Sequence, residues 1–210
     1  MTQADRNSVD VRRRRSIAVG LLLAGLVAMV TGCSSGGDSE DDGGVIGDPI
    51  SASFTPSGTS PAPDLVRLTG SATADLVTLQ VAISGQTTSD DLFSFAFDLV
   101  LSNPGVAGYV DDSVEFGDAL TLEAGQASVA LASQSGDRIT VGVTKLGGAG
   151  NGVGPGEATI VTLLLRVTAK ASTSIAIDLT PPADPGALES DESPAPGVSF
   201  DGAAALIRGS

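Results

Sequence analysis

The chain is predicted to be all-β, a two-sheet β-sandwich, and three observations carry that expectation. Apolar residues alternate with small polar ones over most of the chain after Pro63, the period-two pattern of strands buried on one face. No segment there combines an apolar stripe at 3.6-residue spacing with capping residues, so helix is expected to be minor. Glycine and proline, 27 and 11 in 210 residues, punctuate the pattern at the short intervals of all-β domains. Strands with one apolar face need a second sheet to cover them or must close into a barrel, and at this length two sheets are the commoner solution.

Residues 1–32 read as an address. Arg12-Arg13-Arg14-Arg15 precedes fourteen mostly apolar residues, Ile17 to Val30, and a run of that length, at about 1.5 Å per residue, is too short for a ~30 Å hydrocarbon core. A basic start, a short apolar run and small residues before a cut site make a secretory signal. Val30-Thr31-Gly32-Cys33 resembles the bacterial lipobox, in which the cysteine takes a diacylglycerol on its sulfur and becomes the new N-terminus. Cys33 is the only cysteine of the chain and is the expected lipidation site. The expected location is therefore outside the cytoplasm, held to a membrane by that lipid. Arg14-Arg15-Ser16-Ile17 is faintly similar to a twin-arginine signal, so the export route stays open.

Residues 33–63 are mostly Ser, Gly, Asp, Glu, Thr and Pro, a composition that buries too little to offset its ordering entropy. They read as a flexible acidic tether with an r.m.s. reach of about 30 Å. Asp38-Ser39-Glu40-Asp41-Asp42-Gly43 imitates the start of a calcium-binding EF-hand loop, but its twelfth position is Pro49 rather than a bidentate glutamate. Residues 64–210 are the expected single domain. Its strands are read at Leu76–Ser84, Phe93–Leu101, Val106–Tyr109, Ala119–Leu122, Ala127–Ala132, Arg138–Thr144, Glu157–Lys170, Ser174–Leu179 and Val198–Ile207, about nine in all. In the second, Phe93, Phe95, Phe97, Leu99 and Leu101 share one face and Ser94, Ala96 and Asp98 the other; the phenylalanine row is read as core-facing.

The first 32 residues hold five of the 11 basic side chains and two of the 25 acidic ones, leaving six against 23 and a net charge of −17 beyond them. Nucleic-acid binding, which neutralises phosphates with Lys and Arg, is not expected. There is no histidine, which excludes Ser-His-Asp and Cys-His catalysis and histidine-based metal sites. No catalytic residue, metal site or cofactor is expected, and the chain is not expected to be an enzyme. A carboxylate pair could in principle hydrolyse a glycoside, yet most acids fall in the tether and in the Pro- and Ser-rich stretch Asp178–Asp201, where solvation accounts for them. The glycine-rich stretch Gly147–Gly156 meets neither nucleotide-loop pattern and reads as a mobile loop. With no Trp and one tyrosine, Tyr109, the chain is poor in the aromatic surface that stacks on sugars.

Three stretches give the chain a resemblance to the cohesin domain, the receptor module that docks dockerins in cellulosomes and related assemblies. One is Leu76–Ser84 followed by a polar loop and Phe93–Pro104, which looks like the family's aromatic strand, its Tyr-Asp-Pro turn here reading Ser102-Asn103-Pro104. Another is Gly136-Asp137-Arg138-Ile139-Thr140-Val141-Gly142-Val143. The third is Gly156–Lys170 with Ser172–Leu179. With a closing strand near Phe200–Ile207 the resemblance spans about residues 65–208. It implies a jelly-roll-like sandwich that binds a dockerin-bearing protein through the outward face of one sheet, where this chain offers Ser94, Ala96 and Asp98. It also implies a bulge or one-residue insertion, because the inward residues before the turn are one position out of phase. A polysaccharide is the other partner considered, through a carbohydrate-binding module of the same sandwich class.

Overall fold

The computed structural model describes residues 48–180 and 185–210. The export signal, Cys33 and most of the tether lie outside the described residues. Thirteen strands are described, rather than about nine: β1 (Ala52–Thr55), β2 (Leu65–Thr73), β3 (Leu76–Ser84), β4 (Leu92–Leu101), β5 (Ala107–Tyr109), β6 (Glu115–Phe116), β7 (Ala127–Ser135), β8 (Arg138–Leu146), β9 (Glu157–Val167), β10 (Ser172–Ile177), β11 (Gly186–Glu189), β12 (Ser199–Phe200) and β13 (Ala205–Gly209). They form a two-sheet sandwich. One sheet has seven strands in the order β1-β13-β10-β4-β8-β7, with β11 beside the first half of β4. The other has six in the order β12-β2-β3-β9-β5, with β6 beside β9.

The core lies between the two inner faces and follows the alternation in the sequence. Phe95, Phe97, Leu99 and Leu101 of β4 meet Val77, Leu79 and Val81 of β3 and Leu163 and Leu165 of β9, all buried. The inward row of the seven-stranded sheet runs Ala130, Val143, Phe95, Ala187 across four strands. At about 25 cal/mol per Å² of apolar surface removed from water, this layer is the main favourable contribution to folding.

Four sequence expectations change. Phe93 leaves the inward row: β11 pairs Leu188 with Ser94 and Glu189 with Leu92, so Phe93 is the extra residue of a bulge and Leu92 takes the buried place. Ala119–Leu122 is not a strand; Ala119 and Leu120 are buried from an irregular segment, and Glu115–Phe116 pairs with β9 instead. The expected closing strand Val198–Ile207 is divided into β12, parallel to β2, and β13, antiparallel to β1 and β10. And β1 lies inside the stretch read as tether, where Ala52–Thr55 pairs residue for residue with β13.

The segment Gly147–Gly156, read as a mobile loop, is tied down at several points. Asn151 forms a two-way backbone bridge with Leu92, and its side-chain amide donates to the carbonyl of Ala119 at 2.9 Å while its Oδ1 accepts from the N–H of Thr121 at 3.0 Å. The ammonium of Lys145, almost fully buried, donates to the carbonyl of Ala149 at 2.7 Å.

Candidate functional site

The outward face of the seven-stranded sheet carries the residues singled out in the sequence. Register fixes its rows. Leu131, Gly142, Ala96 and Gly186 lie side by side across β7, β8, β4 and β11. On one side runs the row Val129, Thr144, Ser94, Leu188, and on the other Ser133, Thr140, Asp98. Ser94, Ala96 and Asp98 thus share one face.

The central row is low. A Cβ added at Gly142 or Gly186 would meet no heavy atom within 4 Å, so nothing among the described residues covers either position, and Ala96 between them contributes one methyl group. Around this floor stand leucines that the core does not use: Leu131 is 67% exposed, Leu146 51% and Leu188 37%. Neutral residues of small and medium size over three or four strands make a flat surface with a shallow floor. The sheet's own ladder occupies the backbone groups, so contact here is by shape and apolar area rather than by hydrogen bonds.

One end of the face is charged. Asp98 lies within β4 and Asp178 just after β10, the N–H of Asp178 donating to the carbonyl of Asp98 at 2.9 Å. The guanidinium of Arg138 spans both carboxylates, Nη1 reaching Asp98 and Nη2 reaching Asp178, each at 2.6 Å. The hydrogen bond to Asp98, then that to Asp178, raises Arg138 above its ordinary value. The N–H of Thr180, then Arg138, holds Asp178 below the ordinary carboxylate range. A glycosidase acid needs the opposite shift, a carboxyl kept protonated near neutrality. Asp98 is on the face, as expected, but it is half of an ion pair rather than a free anchor.

The chain is similar to solved structures of cohesin modules. A non-cellulosomal cohesin from the archaeon Archaeoglobus fulgidus is 15% identical, with 71% of this chain and 86% of that chain covered and a TM-score of 0.42. A type II cohesin domain from the cellulosome of Acetivibrio cellulolyticus is 11% identical, covering 73% and 94%, with a TM-score of 0.45. A type II cohesin in complex with X-dockerin from the same organism is 8% identical, covering 71% and 95%, with a TM-score of 0.44. No family model matches the chain, and no curated protein does.

Leu131, Gly142, Gly186 and Leu188 escaped the sequence reading. Gly142 had a signal: it interrupts an otherwise β-branched alternation, Ile139-Thr140-Val141-Gly142-Val143, as a glycine does where another backbone or a partner comes close. Leu131 had a misleading one. In β7 the larger residues Val129 and Leu131 fall in the outward phase and the small Ala130 and Ala132 pack on the core, the reverse of what size alone suggests.

Tyr109 and the buried phenylalanines lie away from this face. Phe95 and Phe97 are buried, Phe97 tilted against Phe200 with ring centroids 6.4 Å apart. Tyr109 packs on the core, and its hydroxyl is buried with no hydrogen-bond partner among the described residues. Among the described residues no three His, Cys, Asp or Glu side chains come together as a metal site.

Proposed function

We propose that the domain is a non-enzymatic, cohesin-like docking module that presents the outward face of its seven-stranded sheet to an extracytoplasmic, dockerin-bearing protein, while the lipid on Cys33 holds the chain to a membrane. One observation carries the reading: the uncovered floor Gly142-Ala96-Gly186, rimmed by Leu131, Leu146 and Leu188 and closed at one end by the Asp98–Arg138–Asp178 network. A partner's apolar side chains seat on the floor, and the leucines around it exclude water. Contacts of this kind bury about 1,600 Å² in all. The charged end sets orientation more than affinity, since Arg138 already has its counter-charges.

The test is a pull-down from the native membrane fraction with the full chain as bait, repeated with Gly142→Arg. Open space over Gly142 means that the arginine is accommodated in the free protein, so the thermal melt is expected to stay unchanged while capture of a dockerin-bearing protein is lost. Capture unchanged by Gly142→Arg would move the contact off this face, and recovery of no protein with a dockerin repeat would remove the dockerin reading. For the anchor, Cys33→Ser is expected to shift the protein from the membrane to the soluble fraction; unaltered membrane association refutes lipidation there.

A further inference from the structure

Sheet edges offer unpaired N–H and C=O groups, and proteins blunt them with short strands, prolines, bulges or charges. Three of the edges here are short: β1 has four residues, β12 two, and β5 and β6 together border β9 with three and two. The edge at β7 is different. It runs for nine residues, Ala127-Ser128-Val129-Ala130-Leu131-Ala132-Ser133-Gln134-Ser135, paired with β8 at every position without a register break. It contains no proline and no charged residue, in a chain of net charge −14; the first charges on either side are Glu123 and Asp137. Among the described residues, none in β7 makes a backbone hydrogen bond to any partner but β8.

The free groups of this edge can be assigned. Ser135 and Arg138 close a two-residue hairpin over Gly136-Asp137, with Gly136 at φ 63°, the glycine-first turn whose flanking residues exchange both hydrogen bonds. Alternation then directs the N–H and C=O of Ser133, Leu131, Val129 and Ala127 to β8 and those of Gln134, Ala132, Ala130 and Ser128 outward. These four are symmetric about Leu131. An antiparallel copy of the same edge pairs Ser128 with Gln134 and Ala130 with Ala132, so both strands satisfy all four residues. Leu131, the most exposed of the large apolar residues on this domain, then stands opposite its own copy as the closely spaced pair between hydrogen-bonded ones.

We propose that β7 is a self-association edge: two copies of the chain pair antiparallel through β7 about a two-fold axis at Leu131, making one continuous sheet. A second copy fits the edge because an uncharged strand is where two strongly acidic domains approach without like charges meeting, and because an isologous contact needs a self-complementary patch. Leu131 against Leu131 removes the exposed side chain from water. The floor Gly142-Ala96-Gly186 stays open on each copy, and Leu131 is the one rim residue that the two contacts share.

Cysteine cross-linking in the full chain reads the register directly, with the unsubstituted chain as the background for Cys33. In Leu131→Cys the two thiols come from a closely spaced pair, about 4.5 Å between Cα atoms, within disulfide reach. A disulfide-linked dimer is expected under mild oxidant. Val129→Cys alone and Ser133→Cys alone place like positions four residues out of register, about 13 Å apart, and no dimer is expected. The two mixed are expected to cross-link, because Val129 faces Ser133 of the other copy. No dimer from Leu131→Cys, or equal cross-linking at all three positions, overturns the proposal, as does linkage only to a different protein. Sedimentation of Leu131→Lys and Leu131→Glu adds a second reading: each alone is expected to be monomeric and the mixture to associate, whereas dimers from either single variant refute the axis.

Discussion

Asp178 and Asp98 are a like-charged pair that the fold brings together and one guanidinium makes tolerable. The carboxyl of Asp178 is held below the ordinary range by the N–H of Thr180 and then by Arg138, so at mildly acidic pH the folded chain binds fewer protons there than the unfolded chain does. The stabilisation is complete above the ordinary carboxylate pKa, about 3.9, and is lost as the pH falls through the lower folded value. Asp178→Asn is therefore expected to lower the melting temperature at neutral pH, with the gap to the unsubstituted chain closing below about pH 3.9. Melting curves from pH 2 to 7 check it; a gap constant with pH removes the charge argument. This network was half legible in the sequence. Alternation placed Asp98 outward, but Arg138 and Asp178 lie 40 and 80 residues further along the chain and meet it only through the pairing of β4 with β8 and β10. Acids of the stretch Asp178–Asp201, for which solvation is the sequence expectation, are bonded: Glu189 accepts the hydroxyl of Ser89 at 2.7 Å and Asp201 that of Ser57 at 3.0 Å.

Elements were legible where alternation is strict: β2, nine residues long but carrying Gly70 and small residues over its second half, was not among the expected strands. β3 matches its expected bounds, since nine residues of strict alternation settle which face is buried before any neighbour is known. β1, β11 and β12 are four residues or fewer, and strands that short take their register from the strand they join, which composition does not reveal. The segment after β8 hides its order for another reason: its contacts radiate from Asn151 and Lys145, single polar residues among glycines. Lys145→Met keeps the side chain's length and removes the charged donor to the Ala149 carbonyl, and the loss is expected to be about 1.5–3 kcal/mol, the range for a hydrogen bond to a charged group. Chemical denaturation gives that number, and hydrogen exchange should quicken at Leu92 and Asn151 before the rest of the sheet. Unchanged exchange there would mean that the glycine-rich segment is held without the ammonium.

For the molecule as a whole, the site was legible as a face and not as a surface. Period two assigned Ser94, Ala96 and Asp98 to one side of one strand; the floor beside them needed the order of four strands, and the rim needed Leu131 and Leu188 in phases that hydrophobicity argues against. The resemblance supplied the sheet, and only the register supplied its neighbours.

The pairing of β1 with β13 has a mechanical meaning. Ser51 and Ser210 exchange backbone hydrogen bonds, each 3.0 Å, and β1 is the outermost strand on the side of its sheet away from β7. Tension applied through the residues before Asp48, and resisted at the Gly142-Ala96-Gly186 floor, crosses the strands and loads β1 first. Four residue pairs then open one after another instead of sharing the load. Freeing the chain from Ala52 to Leu65 adds roughly 45 Å of slack at 3.3–3.6 Å per residue, while the core between β3, β4, β8 and β9 stays shut. Optical-trap pulling from the N-terminal side should record this as a small, reversible extension well below the force of global rupture, and a single rupture with no such step would contradict it. The strand the sequence hid inside a tether is then a length reserve, a strain-relief loop between a pulled leader and a loaded head.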